Sequence, residues 1–220
     1  MKTMSMKASC AASSLPASIS DSLRAALHLA AALIALFALV GAARASDDSE
    51  LKSGVFSPPR QAPDFTLKGT DGSDLKLSRY RGRIVALGFG YTMCPDICPT
   101  QLAQLAEVHR KLGAAGKDFQ VVYVTVDPER DSAERLRQYV TGFDATFIGA
   151  TGTPQQLAEV RKAYGIVATR APIAGSSTAY LIHHSNFIYL IDANGSLRAM
   201  SPYGRSVSDL VSDVKSLLKK

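Results

Sequence analysis

The chain has 220 residues, of which 46% are hydrophobic and 20% are charged, a composition typical of one globular domain with extensions. Its formal net charge of +6 is not concentrated in a basic patch, and no basic run is longer than the terminal Lys219-Lys220, so no nucleic-acid partner is predicted. The sequence holds neither a G-x-S-x-G elbow nor a phosphate-binding loop, which leaves hydrolase and kinase chemistry without support.

The first 45 residues predict an export segment. A nearly unbroken apolar run from Ala25 to Ala43 follows a basic stretch, and it ends in Ala-Arg-Ala at positions 43 to 45, the small-x-small pattern of a secretory cleavage site. Because the run is about 19 residues long, close to the roughly 20 that cross a bilayer, an N-terminal membrane anchor is the second interpretation. In both versions the basic flank stays inside and the rest of the chain is exported.

Residues 46 to 62 (SDDSELKSGVFSPPRQA) predict a linker, because they are polar and rich in proline. The folded domain is therefore expected over residues 63 to 220. Near its start, a turn at Asp71-Gly72 joins two short predicted strands, Phe65 to Lys68 and Leu75 to Leu77.

Further apolar runs predict the remaining strands. RIVALGFG (83 to 90) and FQVVYVTV (119 to 126) are continuous runs of strand length that suit the centre of a sheet, and TFIGA (146 to 150) is a shorter strand. AYLIHHSNFIYLIDANGSLRAM (179 to 200) predicts a late hairpin that is closed by Asn194-Gly195.

Helices are predicted between these strands. Apolar residues recur at three- and four-residue steps from Leu102 to Leu112 and from Leu157 to Tyr164. Ser132 and Ser206 are placed to cap the helices that follow them. This order predicts an α/β domain of thioredoxin-like fold, with a central mostly parallel sheet, flanking helices and a C-terminal β-hairpin plus helix.

A cysteine pair carries the chemical signal of this chain. Cys94 and Cys98 follow the first buried strand in GFGYTMCPDICPTQL (88 to 102), while the third cysteine, Cys10, lies in the export segment. The pair therefore lies between the C-terminal end of a central strand and the start of a helix, where α/β folds build sites and where thiolates are favoured. Four uses are considered: a redox couple, a metal clamp, a structural disulfide and a peroxidase site.

Two of these uses are disfavoured by the spacing. A disulfide across three residues would restrict the unfolded chain very little. Peroxiredoxins place a threonine three residues before the cysteine and a proline three before that, whereas Thr92 lies two residues before Cys94 and GFGYT has no proline. The redox couple and the metal clamp stay open, because sulfurs at positions i and i+4 of a helical turn can converge on one ion.

A metal site needs a third ligand, which His183 or His184 on the late hairpin can supply. His109 is interpreted instead as a solvated surface residue on the first amphipathic helix. Since neighbours on a strand point to opposite faces, one of the two late histidines is expected to face the cysteines. Two thiolates and one imidazole suit Cu(I), whereas zinc would normally take four ligands.

Four segments of the chain together resemble the Sco/SenC family of copper-delivery proteins. They are FGYTMCPDICPT, VTVDPERD, FIGATGT and YLIHHSNFIYLIDANG. The resemblance runs from about Pro63 to the C-terminus, and the C-P-x-x-C-P block is specific when it is combined with the downstream histidine. It implies a thioredoxin-like domain on the outer, periplasmic side of the inner membrane, where it assists assembly of the binuclear copper centre of cytochrome c oxidase.

The resemblance places the family's copper ligands on Cys94, Cys98 and His184, with Cu(I) as the cargo and Cu(II) also allowed. The family usually has Asp before the histidine, and this chain has His183, which would alter the local charge. Asp127, in the D-P-E-R-D turn, is assigned either a role behind the ligands or in docking, or the simpler role of capping its own turn.

The function implied by the resemblance is that of a metallochaperone rather than an enzyme. It would bind copper and deliver it to the copper-binding subunit of cytochrome c oxidase, with other exported copper chaperones or thiol reductases as further partners. The alternative is an exported thiol–disulfide oxidoreductase that reduces the cysteines of such a partner. TlpA-like reductases carry a proline where this chain has Asn186, which favours metal handling.

Overall fold

The computed structural model describes residues 51–176 and 178–219, in which ten strands, four α-helices and two 3-10 turns are formed. The strands are β1 (Gly54–Gln61), β2 (Thr66–Gly69), β3 (Asp74–Lys76), β4 (Ile84–Gly90), β5 (Phe119–Thr125), β6 (Ile148–Thr151), β7 (Ala168–Pro172), β8 (Tyr180–His184), β9 (Phe187–Ile191) and β10 (Ser196–Pro202). The helices are α1 (Ile97–Leu112), α2 (Ala133–Thr141), α3 (Pro154–Tyr164) and α4 (Val207–Leu218).

Eight of the strands form one sheet in the order β1-β10-β9-β4-β5-β6-β2-β3. Strands β4, β5 and β6 are parallel to one another, and the other neighbouring pairs are antiparallel. The α/β class is as predicted, but the sheet is mixed rather than mostly parallel. The reason is that the β2–β3 and β9–β10 hairpins and the N-terminal strand β1 extend both sides of the parallel centre.

The core of the sheet is built on β4 and β5, as their continuous apolar sequences predicted. All seven residues of each strand are buried, and the two strands pair in parallel from Ile84↔Phe119 to Gly90↔Thr125. Burial of each large aliphatic side chain contributes about 1.5–3 kcal/mol. The fully buried strand β4 therefore ends directly before the cysteine loop.

The predicted linker is wrong for residues 54 to 61, which form the edge strand β1. This strand pairs with β10 from Gly54↔Met200 to Gln61↔Ser196, with an irregularity between Val55 and Arg60. Most of its side chains are exposed, so the strand lacks the apolar pattern that identifies buried strands, and prolines are tolerated at an edge. The folded region therefore begins before residue 63.

The segment just before β1 is attached to helix α4. The backbone N–H and the hydroxyl of Ser53 donate hydrogen bonds to Asp213 Oδ2 at 3.0 and 2.6 Å, and the N–H of Lys52 donates to Asp213 Oδ1 at 2.5 Å. Asp213 is fully buried, and these donors satisfy its charge.

The predicted late hairpin is correct only in its second half. Strands β9 and β10 pair around a turn in which Gly195 has φ 77°. The segment with the two histidines is instead β8, which pairs with β7 in a separate two-stranded sheet, from Ala168↔His184 to Pro172↔Tyr180. We call residues 168–172 and 180–184 the His184 ribbon. Strand β7 was not predicted, because its sequence ATRAP is largely exposed and has no apolar alternation.

The helix caps follow the predictions. The hydroxyl of Ser132 accepts from the N–H of Arg135 at 3.2 Å, and that of Ser206 accepts from the N–H of Asp209 at 3.1 Å. Such caps satisfy backbone donors that the first helical turn leaves free. Among the described residues, none of the helices combines the length and the apolar character that a bilayer crossing requires. The predicted export segment lies outside the described residues.

Candidate metal centre

The two cysteines lie where strand β4 gives way to helix α1. Cys94 is in the connecting loop, where its N–H donates to the carbonyl oxygen of Tyr91 at 3.3 Å, and Cys98 is in the first turn of α1. Both are free thiols, with Cys98 buried and Cys94 half-buried. The N–H of Cys98 points at Cys94 Sγ at 3.5 Å, so the helix start favours a thiolate there.

His184, at the end of β8, faces the cysteines. Its Nε2 lies 3.3 Å from Cys98 Sγ, and its Nδ1 lies 3.0 Å from the carbonyl oxygen of Ser185. A carbonyl oxygen only accepts, so Nδ1 is the donor in this contact, and Nε2 is the ring nitrogen that faces the sulfurs. The ligand atoms of Cys94, Cys98 and His184 all lie within 4.8 Å of one another.

His183 does not join this cluster. Its side chain is exposed while Ile182 is buried, in agreement with the expected alternation along the strand. His183 and Asn186 line the open pocket in front of Cys94. A ligand role for His183 thus has no geometric support, and its effect on local charge stays a prediction.

The two thiols have opposite proton affinities. The neighbouring Cys98 thiol is the main cause that holds the pKa of Cys94 well below its usual range, and His184 and the backbone N–H groups of residues 96 and 98 act in the same direction. The interaction with Cys94 and burial raise the pKa of Cys98. At neutral pH the pair therefore holds one proton, which resides on Cys98.

A buried carboxylate that sequence reasoning missed fixes the loop before Cys94. Asp131 is fully buried and accepts from the N–H of Thr92 at 3.1 Å, from the Thr92 hydroxyl at 2.6 Å and from the Thr125 hydroxyl at 2.6 Å. Burial raises the pKa of Asp131. The sequence did carry a signal for this role, because Asp131 is the second aspartate of the D-P-E-R-D block that follows β5. A carboxylate close to a buried strand needs several hydrogen-bond donors.

Asp127 anchors the His184 ribbon rather than contacting the three candidate ligands. This fully buried carboxylate accepts from the Tyr180 hydroxyl at 2.9 Å and forms an ion pair with Arg130. Arg130 donates to the carbonyl oxygen of Tyr180 at 2.9 Å, and its guanidinium lies 3.7 Å from the centre of the Tyr180 ring. The backbone carbonyl oxygen of Asp127 also accepts from the N–H of Asp131 at 2.9 Å and closes the turn, a contact that does not use the carboxylate.

Tyr91 makes a second connection between the ribbon and the cysteine loop. The N–H of Ile182 donates to the Tyr91 hydroxyl at 3.0 Å, and the Tyr91 ring meets the His184 ring edge to face with centroids 5.9 Å apart. Nothing in the sequence distinguished this tyrosine from an ordinary core aromatic.

His109 lies elsewhere, and its interpretation as a solvated residue is wrong. Its Nδ1 lies 2.6 Å from Asp144 Oδ2, and its ring packs against Phe119 with centroids 6.3 Å apart. The C-terminal part of α1 covers the start of β5 there, so the side chain is half-buried.

Comparison with known proteins gives a consistent result. The family model described as SCO1/SenC matches residues 56–219. SCO2-like protein RC0895 of Rickettsia conorii is 36% identical over 132 residues, which are 60% of this chain and 64% of that protein. The mitochondrial SCO2 homolog of Homo sapiens is 37% identical over 147 residues, 66% of this chain and 54% of that protein. The matched region thus spans less than two thirds of the length of these relatives.

The fold is shared with solved structures. A crystal structure of Arabidopsis thaliana ScoI with copper bound has a TM-score of 0.67 and 30% sequence identity, and the match covers 72% of this chain and 99% of that one. Together with the mixed sheet and its flanking helices, this likeness confirms the predicted thioredoxin-like fold.

Proposed function

Because this chain belongs to the SCO1/SenC family, as its motifs predicted, we propose that it is a metallochaperone that binds copper and delivers it during cytochrome c oxidase assembly. The observation that carries the proposal is the convergence of Cys94 Sγ, Cys98 Sγ and a ring nitrogen of His184 within 4.8 Å. The similar ScoI of Arabidopsis thaliana was solved with copper bound, which supports copper as the cargo.

The donor set fits copper better than it fits other common metals. Two sulfurs and one imidazole nitrogen are soft ligands that suit Cu(I), and structural zinc sites take four ligands. Among residues 51–176 and 178–219, no further Cys, His, Asp or Glu belongs to this cluster. Cys94 is already a thiolate at neutral pH, so binding of copper would release only the proton of Cys98.

The site is also open to a partner. Cys94 is half-buried and lines a surface pocket together with Pro95, Ile97 and His184. Thiolates of a recipient can therefore reach the cargo and replace the ligands one at a time. We propose the copper-binding subunit of cytochrome c oxidase as the recipient, and the periplasmic side of the inner membrane, reached through the N-terminal export segment, as the location.

Replacement of His184 tests the copper proposal. His184→Ala removes one of three ligands, so its affinity for Cu(I) should fall by more than about 100-fold, beyond the typical cost of losing an outer contact. The measurement is anaerobic competition of the reduced protein with a chromophoric Cu(I) chelator, accompanied by oxidase activity in cells that carry the variant.

The adjacent histidine supplies the matched control. His183→Ala removes an exposed imidazole from the same strand, and its Cu(I) affinity should stay within a few-fold of the parent. Equal affinity of His184→Ala and the parent protein would refute the three-ligand site.

A second candidate function is thiol–disulfide exchange, which the lowered pKa of Cys94 favours. The Cys94 thiolate would attack a disulfide of the partner and release one partner thiolate, forming a mixed disulfide. Cys98, after losing its proton, would then attack Cys94 Sγ and release the second partner thiolate, which leaves a Cys94–Cys98 disulfide. This reaction needs no metal ligand, and Cys98 is the main cause of the lowered pKa of Cys94, so His184→Ala should keep most of its exchange rate while it loses copper.

A further inference from the structure

A buried tyrosine lies behind the cysteine pair. Tyr123 is in the middle of β5 with a fully buried side chain, and its hydroxyl has no hydrogen-bond partner of regular geometry among the described residues. Burial of a hydroxyl without a partner is unfavourable, and native proteins rarely keep such a group. We therefore expect the Tyr123 hydroxyl to gain a hydrogen-bond partner in another state of the neighbouring site.

Gly90 brings the Tyr123 hydroxyl and Cys98 together. A Cβ atom at Gly90, the last residue of β4, would lie 1.8 Å from Tyr123 Oη and 2.8 Å from Cys98 Sγ. The hydroxyl oxygen and the sulfur therefore both border the space that a side chain at position 90 would fill. This space is free because residue 90 is a glycine. Only a glycine is compatible with this arrangement.

The chemistry of sulfur explains why a regular hydrogen bond is absent without metal. A sulfur that carries its proton is a weak acceptor. Once a metal ion replaces this proton, the sulfur becomes a thiolate and a strong acceptor. The nearest unsatisfied donor is then the Tyr123 hydroxyl.

We propose that the Tyr123 hydroxyl donates a hydrogen bond to the Cys98 thiolate when the site holds metal, an inference that rests on the proposed copper site. Tyr123 would be a positioning residue and not a ligand. A hydrogen bond to a metal-bound sulfur withdraws electron density from it, which weakens its donation to Cu(II) more than to Cu(I). Tyr123 would thereby help to keep the cargo as Cu(I).

Tyr123→Phe tests this inference, because it removes one oxygen atom and no packing. The reduced parent and variant would be titrated with Co(II), a redox-stable probe whose sulfur-to-metal charge-transfer band reports the electron density on the thiolates. The band should move to longer wavelength in Tyr123→Phe, and the affinity for Cu(I) should fall by about tenfold. The thermal midpoint of the metal-free variant should not decrease, because the lost hydroxyl has no regular partner there.

Tyr80→Phe is the matched control. Tyr80 also has a buried hydroxyl without a partner in the described part of the chain, but it lies before the start of β4, whereas the cysteines follow its end. Its band and affinity should equal those of the parent. The inference would be overturned if Tyr123→Phe and the parent had the same band and the same affinity. It would also be overturned if Tyr80→Phe showed the same shift as Tyr123→Phe. Both results would leave the copper proposal unaffected. A parent protein without a thiolate band and without Cu(I) binding would instead refute both.

Discussion

At the scale of single residues, the two cysteines are chemically unequal. Cys98 is buried, and its thiol is the main cause of the lowered pKa of Cys94. We therefore expect an incoming metal ion to meet the half-buried Cys94 first and the buried Cys98 thiol to lose its proton second. The same inequality would let Cys94 attack a disulfide while Cys98 resolves the mixed disulfide.

The reactivity of Cys94 should show this pKa directly. A lowered pKa keeps the thiolate present in acid, so alkylation of the metal-free protein by iodoacetamide should stay nearly constant from about pH 8 to about pH 5. An ordinary thiol with a pKa of about 8.5 would slow about tenfold for each pH unit over this range. The measurement is a pH–rate profile with the labelled residue identified by peptide mapping. Cys94→Ser should abolish the fast labelling, and a tenfold slope in the parent would contradict the prediction.

The structure brings together the three candidate ligands that the sequence indicated, whereas the residues around them were not predicted. Cys94 and Cys98 were found from a short motif, strand alternation reduced the third candidate to His183 or His184, and the family resemblance selected His184. Asp131 and Tyr123 could not be assigned, because their roles depend on contacts with Thr92 and Gly90, which lie more than 30 positions away in the chain. No local periodicity encodes such contacts.

At the scale of elements, the His184 ribbon contributes fewer buried side chains to the hydrophobic core than the strands of the main sheet. Ile182 is the one buried residue among its described strand positions. Polar contacts therefore hold the ribbon, namely Tyr180 with Asp127 and Arg130, and the N–H of Ile182 with Tyr91. These contacts fix the position of His184, although none of the anchoring side chains belongs to the three-ligand cluster.

Removal of one anchor should loosen the ribbon without touching a ligand. Tyr180→Phe deletes the hydrogen bond to the Asp127 carboxylate, a contact of about 1–2 kcal/mol for a half-buried donor. Hydrogen exchange in β8 should accelerate, and the Cu(I) affinity should fall several-fold, as read by mass spectrometry and by chelator competition. Tyr203→Phe, at an exposed tyrosine, should change neither. Unchanged exchange in β8 would show that other contacts hold the ribbon.

Elements were predictable from sequence where burial repeats along the chain. The apolar runs of β4 and β5 correctly predicted that these strands lie in the centre of the sheet. Strands β1 and β7 were missed because they are exposed, and exposed edge strands need no apolar pattern. The split between β8 and β9 was missed because one polar dipeptide, Ser185-Asn186, separates two strands that join different sheets.

At the scale of the whole molecule, residues 51–62 are part of the folded structure. Strand β1 covers the edge of β10, and Ser53 satisfies the buried carboxylate of Asp213 in helix α4. The fold is thereby closed by a segment that composition alone describes as a linker.

Truncation should reveal the contribution of this segment. A chain that begins at residue 63 leaves Asp213 without the donors of residues 52 and 53 and exposes the β10 edge. Its free energy of unfolding should be lower by more than about 2 kcal/mol than that of a chain that begins at residue 46. Urea denaturation measures the difference, and size-exclusion chromatography should show self-association of the shorter chain. Equal unfolding midpoints for the two chains would contradict the prediction.

The separation of the His184 ribbon from the main sheet has a consequence for how tightly copper is retained. If the ribbon is in place in only a fraction of molecules, the apparent affinity of the three-ligand site is the intrinsic affinity multiplied by that fraction. A partner that binds the displaced ribbon shifts the equilibrium constant between the placed and the displaced ribbon tenfold for each 1.4 kcal/mol of preference. The affinity for copper would thus be changed by binding at a surface that does not contact the metal. The two cysteine thiolates would still bind the ion until it is transferred to the recipient.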